Sequence, residues 1–154
     1  MKRYVTGVNA DGRSYVVSSE ELSTSDFQTL WDYEPSQVPE WISAIDPNVA
    51  AEWVGPSVTG GLRWIFLPLI PDAEAAKLGE HPQLQGIDES GFHTTRTVDF
   101  DYVMKGEIVM YLDEGPVRLQ KGDCVIQQGT RHAWHNESDK LAILVALVHR
   151  PAGI

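Results

Sequence analysis

His93, Asp99 and His132 are the residues of this chain best suited to chemistry. Two imidazoles and a carboxylate form a general acid–base set where they meet, and the same three groups can hold three positions of a divalent ion while leaving others open. From Gly91 to Glu107 the chain reads Gly-Phe-His-Thr-Thr-Arg-Thr-Val-Asp-Phe-Asp-Tyr-Val-Met-Lys-Gly-Glu, an alternation of polar and apolar residues broken near its start by the polar Thr94 and Arg96. In an extended strand residues i, i+2 and i+4 share a face. His93, Thr95, Thr97, Asp99 and Asp101 then fall on one face, with Val98, Phe100, Tyr102 and Met104 on the other. A solvent face is usually a mixture of Lys, Glu and Ser. One His, Thr and Asp residues with no Lys before position 105 compose a polar cavity instead.

The second part of the signal runs from Gln120 to Asn136: Gln-Lys-Gly-Asp-Cys-Val-Ile-Gln-Gln-Gly-Thr-Arg-His-Ala-Trp-His-Asn. A Lys-Gly-Asp turn opens a short strand and Gly129 closes it. His132, Trp134 and Asn136 fall on one face of the next strand, with His135 on the other.

These two segments resemble the motifs of the cupin superfamily, a His-x-His-x3-4-Glu-x6-Gly segment and a Gly-x5-Pro-x-Gly-x2-His-x3-Asn segment. His93 matches the first motif histidine, Asp99 stands in the glutamate position, and Gly106 matches the closing glycine. Gly122, Gly129, His132 and Asn136 match the second motif. Thr95 occupies the second histidine position, Gln127 replaces the proline, and the spacing from Gly122 to Gln127 is one residue short. The resemblance implies an all-β fold, a cupin-like jelly-roll β-barrel with an N-terminal strand extension and one or two short helices. It also implies a site on His93, Asp99 and His132, as catalytic residues and as ligands of a divalent metal (Fe, Zn, Mn or Ni).

Thr95, Thr97, Asp101 and Trp134 share faces with those three and are expected at the substrate, Trp134 as a wall stacking on an aromatic or unsaturated group. Cupins span many activities, so three readings stand side by side. A lyase-type enzyme catalysing decarboxylation, dehydration or enolisation uses the acid–base groups with or without a metal. An iron-dependent dioxygenase is the second, and a non-catalytic small-ligand-binding barrel the third. The retained acid–base groups favour the first.

The elements that must position these residues are short strands. Tyr4–Thr6, Tyr15–Ser18 and Phe27–Trp31 read as β-like stretches, and 34–56, with its prolines, Trp41 and Trp53, as an irregular and partly helical excursion. Its tryptophans either pack beneath a loop or lid the cavity. Trp64–Leu67 reads as a buried strand confined by Pro68 to a sheet edge or strand end. A short helix is expected over 72–79, ended by Gly79. Ile108–Leu112 and Val117–Leu119 flank a hairpin turn of the longer kind at 113–116, and Leu141–Val148 is a strand apolar on both faces.

A chain of 154 residues suits a single domain over 1–154, with 1–70 as N-terminal strands and excursion and 91–148 as the motif-bearing barrel. A net charge of −10 with scattered Lys and Arg argues against nucleic acid and leaves a small molecule as the partner. The apolar runs fall short of a membrane span, and one cysteine, Cys124, fits a reducing compartment, so a cytoplasmic location is expected. The even-numbered apolar face from Val98 to Met104 needs cover, from the N-terminal strands or from the mate in a homodimer.

Overall fold

The computed structural model describes residues 1–23, 30–31, 38–78 and 86–152. The expected stretch at Phe27–Trp31 falls mostly outside them, as does Gly79. Strands β1 (Lys2–Val8) and β2 (Ser14–Glu21) form the first hairpin. Asn9 shapes its turn: Asn9 Oδ1 accepts from the amides of Asp11 and Arg13, both at 3.0 Å. Helix α1 (Glu40–Ala44), strand β3 (Leu62–Leu69) and helix α2 (Asp72–Ala75) follow. The motif half supplies β4 (Val98–Lys105), β5 (Glu107–Leu112), β6 (Gly115–Gln120), β7 (Cys124–Gln128), β8 (His132–His135) and β9 (Ala142–His149).

The strands make two sheets, one ordered β2-β1-β7-β4-β9-β3 and a smaller one ordered β6-β5-β8. This is a jelly-roll-like β fold. Between the sheets, Val103, Ile108, Met110, Leu112, Leu119, Val125 and Leu144 form the main core. On the other side of the large sheet, α1 presses Ile42 against Val5, Val98 and Ile126. A helix this short cannot hold itself, so packing secures it. Trp41 helps, its Nε1 donating to the carbonyl of Gln128 at 2.8 Å.

Along β4 the expected parity is observed. Asp99, Asp101 and Val103 are buried toward the sheet interior, while Tyr102 and Met104 are exposed. Val98 differs from its neighbours because α1 covers it. The alternation does not extend back to residue 93, however. The strand starts at Val98, and 93–97 runs as bends and an isolated bridge.

Two further expectations are corrected. β3 is an edge strand, but Trp64 is 81% exposed and Phe66 59% exposed, so it is not buried. Only its other face, at Ile65 and Leu67, meets the interior. The β5–β6 turn is short: Leu112 pairs with Gly115, leaving Asp113 and Glu114 between them. Gly115, at φ 124°, permits the tight reversal. Among the described residues no helix is long and apolar enough to cross a membrane.

Candidate functional site

His93 and His132 are joined through their backbones. The amide of His93 donates to the carbonyl of His132 and the amide of His132 donates to that of His93, both at 2.9 Å. This bridge, rather than the β4 register, places His93, and it brings the ring centroids to 4.3 Å at an interplanar angle of 54°. The approach to His93 is pinned by Asp88, whose Oδ1 accepts from the amides of Ser90 and Phe92. Arg131 clamps the same loop, bonding Asp88 Oδ2 at 2.7 Å and Asp113 Oδ1 at 2.9 Å with its guanidinium 4.0 Å from the Phe92 ring centroid.

The histidines open on a cavity of about 560 Å³ between the sheets. Asp99, Asp101 and Trp134 line it with them, and the remaining lining is mostly apolar: Ile65 and Leu67 of β3, Leu144, Ala146 and Val148 of β9, and Ile87. Trp53 and Arg63 also line it, and Arg63 Nη1 donates to the carbonyls of Trp53 and Val54. Thus Trp53 comes to the cavity, while Trp41, within α1, packs against the cluster of Val5, Val98 and Ile126. Neither Arg63 nor Ile65 carries a local signal in sequence; only the antiparallel pairing of β3 with β9 delivers them.

Thr95 and Thr97 do not line the cavity with the others. They are buried behind it, with the Thr97 hydroxyl donating to Thr95 Oγ1 at 2.8 Å. Their expected place at the substrate came from strand parity, and parity fails where the chain bends. Asn136 is scaffolding: its Nδ2 donates to the carbonyls of Leu69 and Lys140, both at 2.7 Å, and ties the β8–β9 connection to β3. His135 lies half-buried off the cavity, with Nδ1 at 3.0 Å from Asp72 Oδ2.

The electrostatics follow from burial. Burial pushes the Asp99 carboxyl up to about 7, against an opposing pull from the Thr97 hydroxyl. Asp101, two residues along the same face, is raised well above the usual range by burial and then by the charge of Asp99. Asp99 Oδ1 and Asp101 Oδ2 are buried without hydrogen-bond partners. Burial lowers His93, against the raising effects of the Gly91 carbonyl and Asp88. His132 is driven down to about 3, first by burial and then by His93, against the Thr130 carbonyl. Both rings are neutral near pH 7. His93 Nδ1 lies 3.1 Å from the carbonyl of Gly91, which can only accept, so its proton sits on Nδ1 and Nε2 keeps a lone pair.

This donor set does not assemble a metal centre. Among the described residues no three His, Cys, Asp or Glu side chains stand together closely enough to hold an ion. Asp99 shares the cavity with the two histidines without joining them in one ligand cluster, so no step below passes through a metal.

Residues 83–148 match the family model described as Cupin domain. Phomopsin biosynthesis cluster protein D of Diaporthe leptostromiformis is 45% identical over 51 residues, 32% of this chain and 27% of that protein. Oryzines biosynthesis cluster protein J of Aspergillus oryzae is 40% identical over 67 residues, 41% of this chain and 37% of its own. The matches thus span about a quarter to two-fifths of those curated relatives. Among solved structures, a Cupin 2 conserved barrel domain protein from Salinispora arenicola is similar at a TM-score of 0.41 and 18% identity, covering 61% of this chain and 67% of that one. The family match spans the loop carrying His93 and the strands carrying Asp99 and His132, set in a two-sheet β fold, and this segment of the chain is a match to the cupin family.

Proposed function

We propose that this protein is a lyase-type small-molecule enzyme, acting by proton transfer at carbon next to a carbonyl or carboxylate. Decarboxylation, dehydration and enolisation all need that step. The observation that carries the reading is Asp99, a carboxylate buried in an otherwise largely apolar cavity with Oδ1 unpartnered. Its affinity for a proton is balanced near neutral pH, where a general acid or base works best. The lone pair on His93 Nε2 supplies a second acceptor.

The cavity volume is within the range of about 300–1,000 Å³ typical of small-molecule sites, and Trp134 offers a flat wall. Arg63 is the cation among the lining residues and suits a substrate carboxylate. The relatives' names place them in biosynthesis clusters, which supports a role in making a specialised small molecule. The buried, unpaired Cys124 fits action in the cytoplasm.

The test is solvent exchange. Incubated in D2O with a panel of small unsaturated carboxylic acids and ketones, the protein should place deuterium α to the carbonyl of a substrate it binds, and Asp99→Asn should not. Binding without exchange in the wild type would replace the enzyme with a ligand-binding barrel.

We further propose a homodimer built on the outer face of the large sheet. Register aligns Trp64, Leu147 and Phe100 in one row across β3, β9 and β4, and Phe66, Val145 and Tyr102 in the next. Trp64, Phe66, Tyr102, Met104 and Leu147 are exposed there, a contiguous apolar surface that association would cover.

A further inference from the structure

The side chain that decides what His132 can do is Gln127. It is wholly buried, and each of its amide atoms has a partner whose role is not negotiable. Gln127 Oε1 accepts from the backbone amide of Gly129 at 2.9 Å. Gln127 Nε2 donates to the carbonyl of Thr130 at 2.8 Å and lies 2.7 Å from His132 Nδ1. Reversing the amide would set Nε2–H against the Gly129 N–H and Oε1 against the Thr130 carbonyl, two repulsions in place of two bonds. With the amide so fixed, the two hydrogens on Nε2 are shared between the Thr130 carbonyl and His132 Nδ1. A protonated Nδ1 would face the Gln127 N–H at 2.7 Å, donor against donor, even though the Thr130 carbonyl at 2.9 Å would accept from it.

We infer that Gln127 is a positioning residue that commits His132 to the Nε2–H tautomer and makes it a hydrogen-bond donor to a carbonyl or carboxylate oxygen in the cavity instead of a metal ligand. Only a ring nitrogen with a free lone pair can bind a metal, and Gln127 takes up the lone pair on Nδ1 while the proton occupies Nε2. The two touching rings are therefore opposites. His93, held by the Gly91 carbonyl, offers a lone pair, and His132 offers a proton. An acceptor beside a donor is a fitting arrangement for removing a proton next to a carbonyl while its oxygen gains charge. The failed convergence of three ligands agrees, and so does the position itself, where the family motif has a proline that could donate nothing.

The inference rests on the acid–base reading for its catalytic consequence alone, so its first test needs no substrate. Long-range proton–nitrogen correlation spectra of the full chain, with labelled histidine, report which ring nitrogen carries the proton. His132 should show the Nε2–H pattern and His93 the Nδ1–H pattern near pH 7. A His132 protonated on Nδ1 would overturn the assignment outright, whatever the enzyme turns over. Gln127→Leu then removes the amide, leaves the Thr130 carbonyl as partner of Nδ1, and should move the His132 proton there. With two lone pairs then facing the cavity, Zn²⁺ titrated by calorimetry should bind at least about tenfold more tightly than to the wild type. An unchanged His132 pattern, or unchanged Zn²⁺ affinity after the pattern has switched, would count against Gln127 as the controlling group. Should the leucine variant fail to fold, the wild-type spectrum alone decides.

Discussion

His93 and His132 exchange both backbone hydrogen bonds at 2.9 Å, so the main chain holds their rings together. Distance in sequence is thereby converted to contact without cost to either ring nitrogen facing the cavity. The turn after β7 depends on the same economy. Gly129 sits at φ 62°, and a Cβ there would stand 2.8 Å from Ile42 Cγ1. Gly129→Ala should cost about 1–2 kcal/mol from the left-handed backbone and more from the crowded Ile42. Because the Gly129 amide also anchors Gln127, the histidine spectra should change with stability. Chemical denaturation and the spectra check the pair, and a variant as stable as the wild type would remove the glycine from the account.

A second expectation concerns pH. The Asp99 carboxyl is raised from 3.8 to about 7, so the native state prefers the protonated form. Its contribution to stability is full below about pH 3.8 and is lost as pH rises through 7. His132, lowered from 6.5 to about 3, runs the other way: its contribution is present above 6.5 and lost as pH falls toward 3. Between those limits the two partly cancel in the wild type. Asp99→Asn removes the first and also frees Asp101 from the charge of Asp99, and both changes act in the same direction, so the stability of that variant relative to wild type should climb as pH rises from about 4 through 7. Denaturant melts across that range measure it. A constant difference would mean that Asp99 ionises as an exposed carboxylate does.

The proposed pairing of two copies is tested at Trp64, which is 81% exposed and can be changed without disturbing the core. Trp64→Glu should shift the sedimentation mass at micromolar concentration from two chains to one, with a change in chain stability of no more than about 0.5 kcal/mol. A wild-type mass of one chain would reject the dimer.

Much of β4 was legible because a strand with one buried face enforces its own pattern: Asp99 and Asp101 face inward and Tyr102 outward, as the alternation required. The same rule misled at Thr95 and Thr97, since it was carried through a segment that bends and is not paired along its length. His93 reached the cavity regardless, by a bridge to a residue far along the chain. Trp64 and Phe66 were read as buried because hydrophobicity alone cannot tell the inner face of an edge strand from an outer face awaiting cover. Gln127 was legible only as a missing proline. Its meaning lies in three partners gathered around a turn, and no periodicity encodes that.

The sharpest functional contrast is between neighbouring histidines on opposite faces of β8. His132 is buried against Gln127 and lines the cavity; His135 is half-buried and faces Asp72. His132→Ala removes the acceptor for a buried Gln127 N–H and should cost about 1–3 kcal/mol through that orphaned donor. His135→Ala gives up a partly exposed contact worth about 1 kcal/mol or less. Stability alone would therefore separate them for structural reasons, so the deciding measurement is deuterium exchange into substrate at a temperature where circular dichroism shows both variants folded. His132→Ala should lose that exchange by about 10²-fold or more, the scale of removing one donor from a developing oxyanion, while His135→Ala retains it. Equal exchange in the two folded variants would make His132 a core residue and return the cavity to simple ligand binding.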